Sequence, residues 1–151
     1  MPPYMELAFK GQISDQWDMK KVVLGLGSNL GDRKENLRHA IALLRQYIEI
    51  EKVSSLYESA ALLPEDAPPQ WNMPFLNMVL IGQTSLEPQS LLERLQFIEH
   101  TLQRVKEGLW SPRTIDIDIL DMEGVQCSTP NLTIPHRQCQ ERDFVMIPWA
   151  E

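Results

Sequence analysis

The chain has 151 residues, 43% of them hydrophobic and 23% charged, with a formal net charge of −7. Those totals describe one ordinary globular domain with enough residues for a real core, and the acidic balance argues against non-specific nucleic-acid binding, which runs on excess Lys and Arg. No apolar run approaches a membrane span and no charged-then-apolar leader opens the chain, so a cytoplasmic protein is expected, with Cys127 and Cys139 as reduced thiols too few for a disulfide framework or zinc site.

Residues 1–18 show no helical or strand period and are expected to form an extension outside the core, leaving 19–151 as the working domain. Lys21–Gly25 is short, apolar and β-branched, and reads as a buried strand. A turn through Gly27, Ser28, Asn29, Leu30 and Gly31 follows, then Asp32 with Glu35 at capping-box spacing. Leu37, Ile41, Leu44 and Ile48 recur at steps of four, three and four, which is one face of an amphipathic helix. Val53–Ser59 is a second strand candidate. The stretch 63–74 carries four prolines and no period, so it is expected to be a long exposed loop, and its Trp71 points to a functional lid.

Phe75–Thr84 is the third predicted strand. Apolar residues occupy both of its faces, which predicts a central position; Asn77 alone breaks the pattern. Pro88 suits the first turn of a second helix, with Ser85 or Glu87 near the cap. Leu91, Leu95, Ile98, Leu102 and Val105 carry that helix toward a stop near Gly108. Trp110–Leu120 then begins as a loop and becomes a strand. A turn at Glu123-Gly124 and a strand-like Leu132–Ile134 follow, before Pro135-His136, a polar stretch and Phe144–Ile147. The order β-α-β-β-α-β predicts an α+β, ferredoxin-like plan: an antiparallel sheet with two helices on one face and the other face left for loops and ligands.

The chemistry concentrates in Trp110–Leu120. Ile115, Ile117 and Ile119 alternate with Thr114, Asp116 and Asp118, so a period of two sends both carboxylates to one face, their Cα atoms roughly 7 Å apart. Like charges so placed repel unless a cation lies between them. Two carboxylates with substrate phosphates are how Mg²⁺ is usually held, whereas a solvated strand face is the bland alternative. Gly25-x-Gly27-x-x-x-Gly31 misses the dinucleotide fingerprint by one residue and lacks the Lys of a P-loop, so a structural turn is the better reading, with Gly27 and Asn29 supplying unusual backbone angles. Arg104, Lys106 and Arg113, with His136, Arg137 and Arg142, place much of the positive charge near the two aspartates. Acids for a metal, bases for phosphate and aromatics for a flat ring are what nucleotide phosphoryl chemistry requires.

Five segments then carry a family resemblance: Gly25-Leu-Gly-Ser-Asn29, Val53-Ser-Ser-Leu-Tyr57, Phe75-Leu-Asn77, Trp110-Ser-Pro-Arg-Thr-Ile-Asp-Ile-Asp118, and Leu132-Thr-Ile-Pro-His136 with Arg142-Asp-Phe144. In this order they resemble the 6-hydroxymethyl-7,8-dihydropterin pyrophosphokinases of folate biosynthesis, across about Lys21 to Trp149. The resemblance implies transfer of the terminal pyrophosphate of ATP to the pterin hydroxymethyl group, with AMP released and two Mg²⁺ ions on Asp116 and Asp118. It implies pterin contacts from Phe75 (where the family often has Tyr), Asn77, Asp116 and Phe144. It also implies ATP contacts from Glu99, Arg104, Trp110, Arg113, His136 and Arg142, with Arg104, Arg113, Asp116 and Asp118 at the chemistry. Against the family pattern, the Arg104–Trp110 segment is one residue short and carries Lys106 where Arg is usual, the loop before Phe75 is long, and the chain stops early. That early stop fits a shortened chain, a compact variant, or one domain of a fusion with dihydropteroate synthase; a monomer is expected. A non-catalytic ferredoxin-like module that binds nucleotide or pterin is the rival reading. A nucleic-acid-binding module ranks third, given the charge.

Overall fold

The computed structural model describes residues 19–61, 63–102 and 114–135. Its central feature is a five-stranded antiparallel sheet with two helices on one face. In chain order the elements are β1 (Lys20–Ser28), α1 (Arg33–Leu44), β2 (Glu49–Val53), β3 (Tyr57–Ser59), β4 (Phe75–Thr84), α2 (Pro88–Thr101), β5 (Asp116–Met122) and a small hairpin of β6 (Cys127–Thr129) and β7 (Leu132–Ile134). The sheet runs β2-β4-β1-β5, with β3 also pairing the start of β4, so the expected α+β ferredoxin-like plan is found.

Alternation divides the sheet cleanly. Val22, Leu24 and Leu26 of β1, Met78 and Leu80 of β4, and Ile117 and Ile119 of β5 face the helices, where Leu37, Leu44, Leu91, Leu95 and Ile98 close over them. Burying such side chains is worth about 1.5–3 kcal/mol each and dominates the stability of the layer. The opposite face carries Phe75, Asn77, Val79, Gly25, Gly27, Asp116 and Asp118, and includes a small buried cluster of Val79 and Leu120 against Val23.

Several boundaries differ from the sequence expectation, each for a local reason. β1 runs on to Ser28, because Gly25 and Gly27 pair with Val79 and Asn77 instead of turning. The left-handed backbone angle falls at Gly31 (φ 75°), not at Gly27. Asp32 caps α1 as expected, its Oδ1 accepting the Glu35 N–H at 3.2 Å. The predicted second strand splits into β2 and β3 at Ser54, whose Oγ accepts the Val79 N–H at 2.9 Å. α2 closes at Thr101, with Leu102 as its C-cap, well before Gly108. There the Thr101 hydroxyl donates to the Phe97 carbonyl at 2.8 Å, a local bond that competes with helix continuation. β5 extends to Met122 through a bulge opposite Val23/Leu24, which returns Met122 to the helix side. Among the described residues no helix is long and apolar enough to cross a membrane.

Candidate active site

The sheet face away from the helices brings the described candidates together. Cross-strand register sets one row as Tyr57, Asn77, Gly27 and Asp116, and a neighbouring row as Val79, Gly25 and Asp118. Asp116 and Asp118 therefore stand on one side, Asn77 and Phe75 on the other, and the strip between them is β1 backbone. The aspartate strand β5 and the Asn77 strand β4 are not neighbours; β1 lies between them. That insertion separates Asn77 from Asp116 by two strand spacings, about 10 Å. Glycine at both facing positions of β1 gives that strip no side chains of its own, and neighbours lean over it: Leu120 over Gly25, Asn77 and Phe75 over Gly27.

A side chain at Gly27 would be crowded. A Cβ at this position would lie 3.1 Å from Asn77 Oδ1 and 3.3 Å from Phe75 Cδ1. The Asn77 amide and the Phe75 ring thus lean over the β1 backbone. Asn77 is 5% exposed and its Nδ2 donates to Ser59 Oγ at 2.8 Å and to the Tyr57 carbonyl at 3.2 Å. With Nδ2 engaged on that side, Oδ1 is the acceptor turned toward Gly27.

On the acidic side, Asp116 is half-buried and Asp118 exposed. Among the described residues no group of three or more His, Cys, Asp or Glu forms a metal cluster, so the pair stands as two carboxylates. Glu99 lies behind the strand on α2. It is 6% exposed, and its Oε2 accepts the N–H of Ile117, the residue between the two aspartates, at 2.8 Å. This bond ties α2 to the β5 backbone from which both acids project.

The remaining predicted site residues, Arg104, Trp110, Arg113, His136, Arg142 and Phe144, lie outside the described residues. Sequence reasoning missed Ser59 and Tyr57, which hold the Asn77 amide, because only cross-strand register reveals that pairing. It also missed Arg33 and Asn29, whose side chains reach the carbonyls of Pro74 and Met73 at 3.0 and 3.1 Å.

An antiparallel sheet backed by two helices defines a ferredoxin-like α+β domain, whose helix-free face gathers an acidic pair and an amide–aromatic pair across a glycine strip. Comparison with known proteins makes this specific. The family model for 7,8-dihydro-6-hydroxymethylpterin-pyrophosphokinase (HPPK) matches residues 23–151. The 2-amino-4-hydroxy-6-hydroxymethyldihydropteridine pyrophosphokinase of Bacillus subtilis is 45% identical over 130 residues, 85% of this chain and 75% of the relative. That of Aquifex aeolicus is 44% identical over 133 residues, 88% and 80% respectively. A folate synthesis bifunctional protein of Chlamydia muridarum is 41% identical over 128 residues, and here the match covers 83% of this chain but 28% of the relative. Wild-type Plasmodium falciparum HPPK-DHPS, solved with pteroate, shares the fold at a TM-score of 0.64 and 16% identity, over 85% of this chain and 38% of that one. The chain belongs to the 7,8-dihydro-6-hydroxymethylpterin-pyrophosphokinase family and is a pyrophosphokinase of folate biosynthesis.

Proposed function

We propose that residues 19–151 form a domain that transfers the terminal diphosphate of ATP to the hydroxymethyl oxygen of 6-hydroxymethyl-7,8-dihydropterin, giving the pterin diphosphate and AMP. The observation that carries this reading is the sheet face itself: Asp116 and Asp118 stand across the Gly25/Gly27 strip from Asn77 and Phe75. One side offers oxygen ligands and the other a polar edge and a ring.

In the transfer, the pterin hydroxyl oxygen forms a bond to the β-phosphorus while the bond from that phosphorus to the oxygen bridging it to the α-phosphorus breaks. The bridging oxygen leaves with AMP, and the hydroxyl proton passes to solvent. Such chemistry is mainly positioning and charge neutralisation. Asn77 Oδ1 accepts from an N–H of the pterin, and Phe75 stacks on one ring face, with Phe144 proposed for the other. Asp116 and Asp118, two carboxylates on one strand face, would hold two Mg²⁺ ions together with the substrate phosphates. Bound there, Mg²⁺ supplies neutralisation of phosphate charge and lowers the pKa of a coordinated hydroxyl.

Arg104, Trp110, Arg113, His136 and Arg142 are proposed to hold ATP, with Arg104 and Arg113 meeting the charge of the transferred group. Glu99 enters that set through β5, whose backbone it holds between the aspartates. The domain is proposed to work as a monomer in the cytoplasm, where both substrates are soluble metabolites, alone or joined to a second folate enzyme such as dihydropteroate synthase; one relative is a folate synthesis bifunctional protein and the solved Plasmodium falciparum chain is an HPPK-DHPS. The decisive experiment incubates the chain with ATP and Mg²⁺, with and without the pterin, and separates the nucleotides. Pterin-dependent AMP is expected; ADP as product would overturn the diphosphate transfer, and binding of either ligand without turnover would favour the non-catalytic module.

A further inference from the structure

The prolines of 63–74 and the pairing of β3 with β4 make one object, a long hairpin loop. Its two legs meet at the register pair Ser59 and Phe75. Both residues belong to the amide–aromatic side of the site: Ser59 Oγ holds the Asn77 amide, and the Phe75 ring leans over Gly27. Whatever fixes the neck of this loop therefore fixes that side of the pocket.

Arg33, the first residue of α1, spans the neck. Its Nη1 donates to the Pro74 carbonyl at 3.0 Å, on the leg that leads into Phe75. Its Nη2 pairs with Glu58 Oε2 at 3.0 Å, on the leg that ends at Ser59. A guanidinium carries its donors in a rigid planar fork, so one side chain can tie two partners at a set separation. Next to it Asn29, fully buried, donates from Nδ2 to the Met73 carbonyl at 3.1 Å. Asn29 itself is held in the turn that the Asp32 cap and Asn36 stabilise, Asn36 donating to Ser28 Oγ and to the Leu30 carbonyl. The tie lies at the loop's base, and the stretch between Leu63 and Asn72 is held by short local bonds such as Trp71 N–H to the Pro68 carbonyl at 2.9 Å.

We propose that Arg33 is a positioning residue for the pterin subsite: it staples the two legs of the 60–74 loop so that Phe75 and the Ser59-held Asn77 keep a fixed spacing while the loop body remains outside the staple. This rests on the assignment of Phe75 and Asn77 to the pterin. It separates two jobs that a single loop would otherwise mix, closing over a substrate and shaping the wall beneath it. Preorganisation of this kind appears as affinity for one substrate, because the ordering cost is met before binding.

The test uses the full chain and two independent readouts. Amide hydrogen exchange of the ligand-free protein, over peptides spanning residues 71–78, reads the staple without any substrate. Steady-state kinetics with pterin and ATP varied separately reads its consequence. Arg33→Ala should speed exchange in those peptides and raise KM for the pterin about five- to tenfold, the scale of one or two lost hydrogen bonds, with KM for ATP unchanged. Arg33→Lys, a point charge that cannot fork, should fall between, and Glu58→Gln should have the smallest effect because Glu58 is exposed. Unchanged exchange in Arg33→Ala would overturn the staple. A parallel rise in both KM values with a loss of thermal stability would overturn the positioning role in favour of a merely structural one. Faster exchange in a chain whose parent makes no AMP would leave the staple standing and sink the pterin assignment, and with it the subsite role of Arg33.

Discussion

Gly27 and Asn77 face each other across β1 and β4, and the gap between them has no room for one more carbon: a Cβ on Gly27 would lie 3.1 Å from Asn77 Oδ1. The same atom would meet the Phe75 ring at 3.3 Å. Both neighbours are side chains, which can yield by a few tenths of an ångström, so Gly27→Ala should fold. What yields, though, is the wall proposed for the pterin. The variant is expected to show an approximately tenfold rise in pterin KM, about 1.4 kcal/mol, with ATP affinity kept. Separate titrations of the two substrates check this, and equal effects on both would break the link between Gly27 and the pterin side.

Asn77 provides a sharper version of the same test. Its Nδ2 donates to Ser59 Oγ and the Tyr57 carbonyl, and its Oδ1 lies over Gly27. Asn77→Ala removes the acceptor and leaves the ligand's donor unpaired, which costs about 1–3 kcal/mol of pterin binding. Ser59→Ala keeps the acceptor but frees the amide to rotate, so a smaller loss is expected. Calorimetry with the pterin and a non-hydrolysable ATP analogue orders the two; a larger loss in Ser59→Ala would contradict this division of labour.

Asp116 and Asp118 should matter for turnover far more than for folding, because neither lies in the core between sheet and helices. Asp116→Asn and Asp118→Asn are each expected to lower AMP production on the order of a hundredfold or more, the scale of losing a charge-stabilising group at a transferring phosphate. Chelation of divalent cations should silence the parent protein and be reversed by added Mg²⁺. Near-parent activity in both variants would remove the carboxylates from the mechanism.

Glu99 separates a backbone role from a ligand role. Its Oε2 accepts the Ile117 N–H at 2.8 Å from a position 6% exposed. Glu99→Gln retains an acceptor and should keep most stability, whereas Glu99→Ala strands the Ile117 N–H and should cost about 1–3 kcal/mol. If the role runs through β5, the Ala variant should lose Mg²⁺-dependent activity more than pterin affinity, and the Gln variant should recover part of it. Loss of ATP affinity alone, with stability intact in both, would point instead to direct contact.

Periodicity carried most of what could be read from the chain alone. The two-residue alternation around Asp116 and Asp118 and the apolar run with Asn77 placed both halves of the site on strands, and the fold confirms both. The helical repeat of α2 was equally plain, though its stop was not, because an apolar repeat does not encode where a helix ends. Register was out of reach. Nothing in Gly25-x-Gly27 announces that this strand would slip between the aspartates and Asn77, since the sequence fixes side-chain alternation locally while strand order depends on long-range pairing. For the same reason Gly27 looked like a turn glycine, when its constraint is the side chains opposite. Arg33 and Glu58 were invisible as a pair because 25 positions separate them and only the β3–β4 hairpin brings them to one neck.

Gly82 tests the fold independently of the site. It lies on β4 where β2 bulges past, paired with Ile50, and a Cβ there would approach the Glu49 carbonyl oxygen and Ile48 Cγ2 to 2.6 Å each. Unlike the case of Gly27, one of these obstacles is backbone. A carbonyl of β2 cannot yield without disturbing its ladder with β4, while Ile48 belongs to the main core and is 3% exposed. Gly82→Ala should therefore act as overpacking, costing about 1–3 kcal/mol, and lower Tm by several degrees. Because the damage sits at the far end of β4 from Phe75 and Asn77, the folded fraction should keep the parent's KM for both substrates. Chemical denaturation and kinetics at low temperature together check the separation: a stable variant would contradict the packing argument, and an altered pterin KM would show that strain at Gly82 travels along β4 to the site.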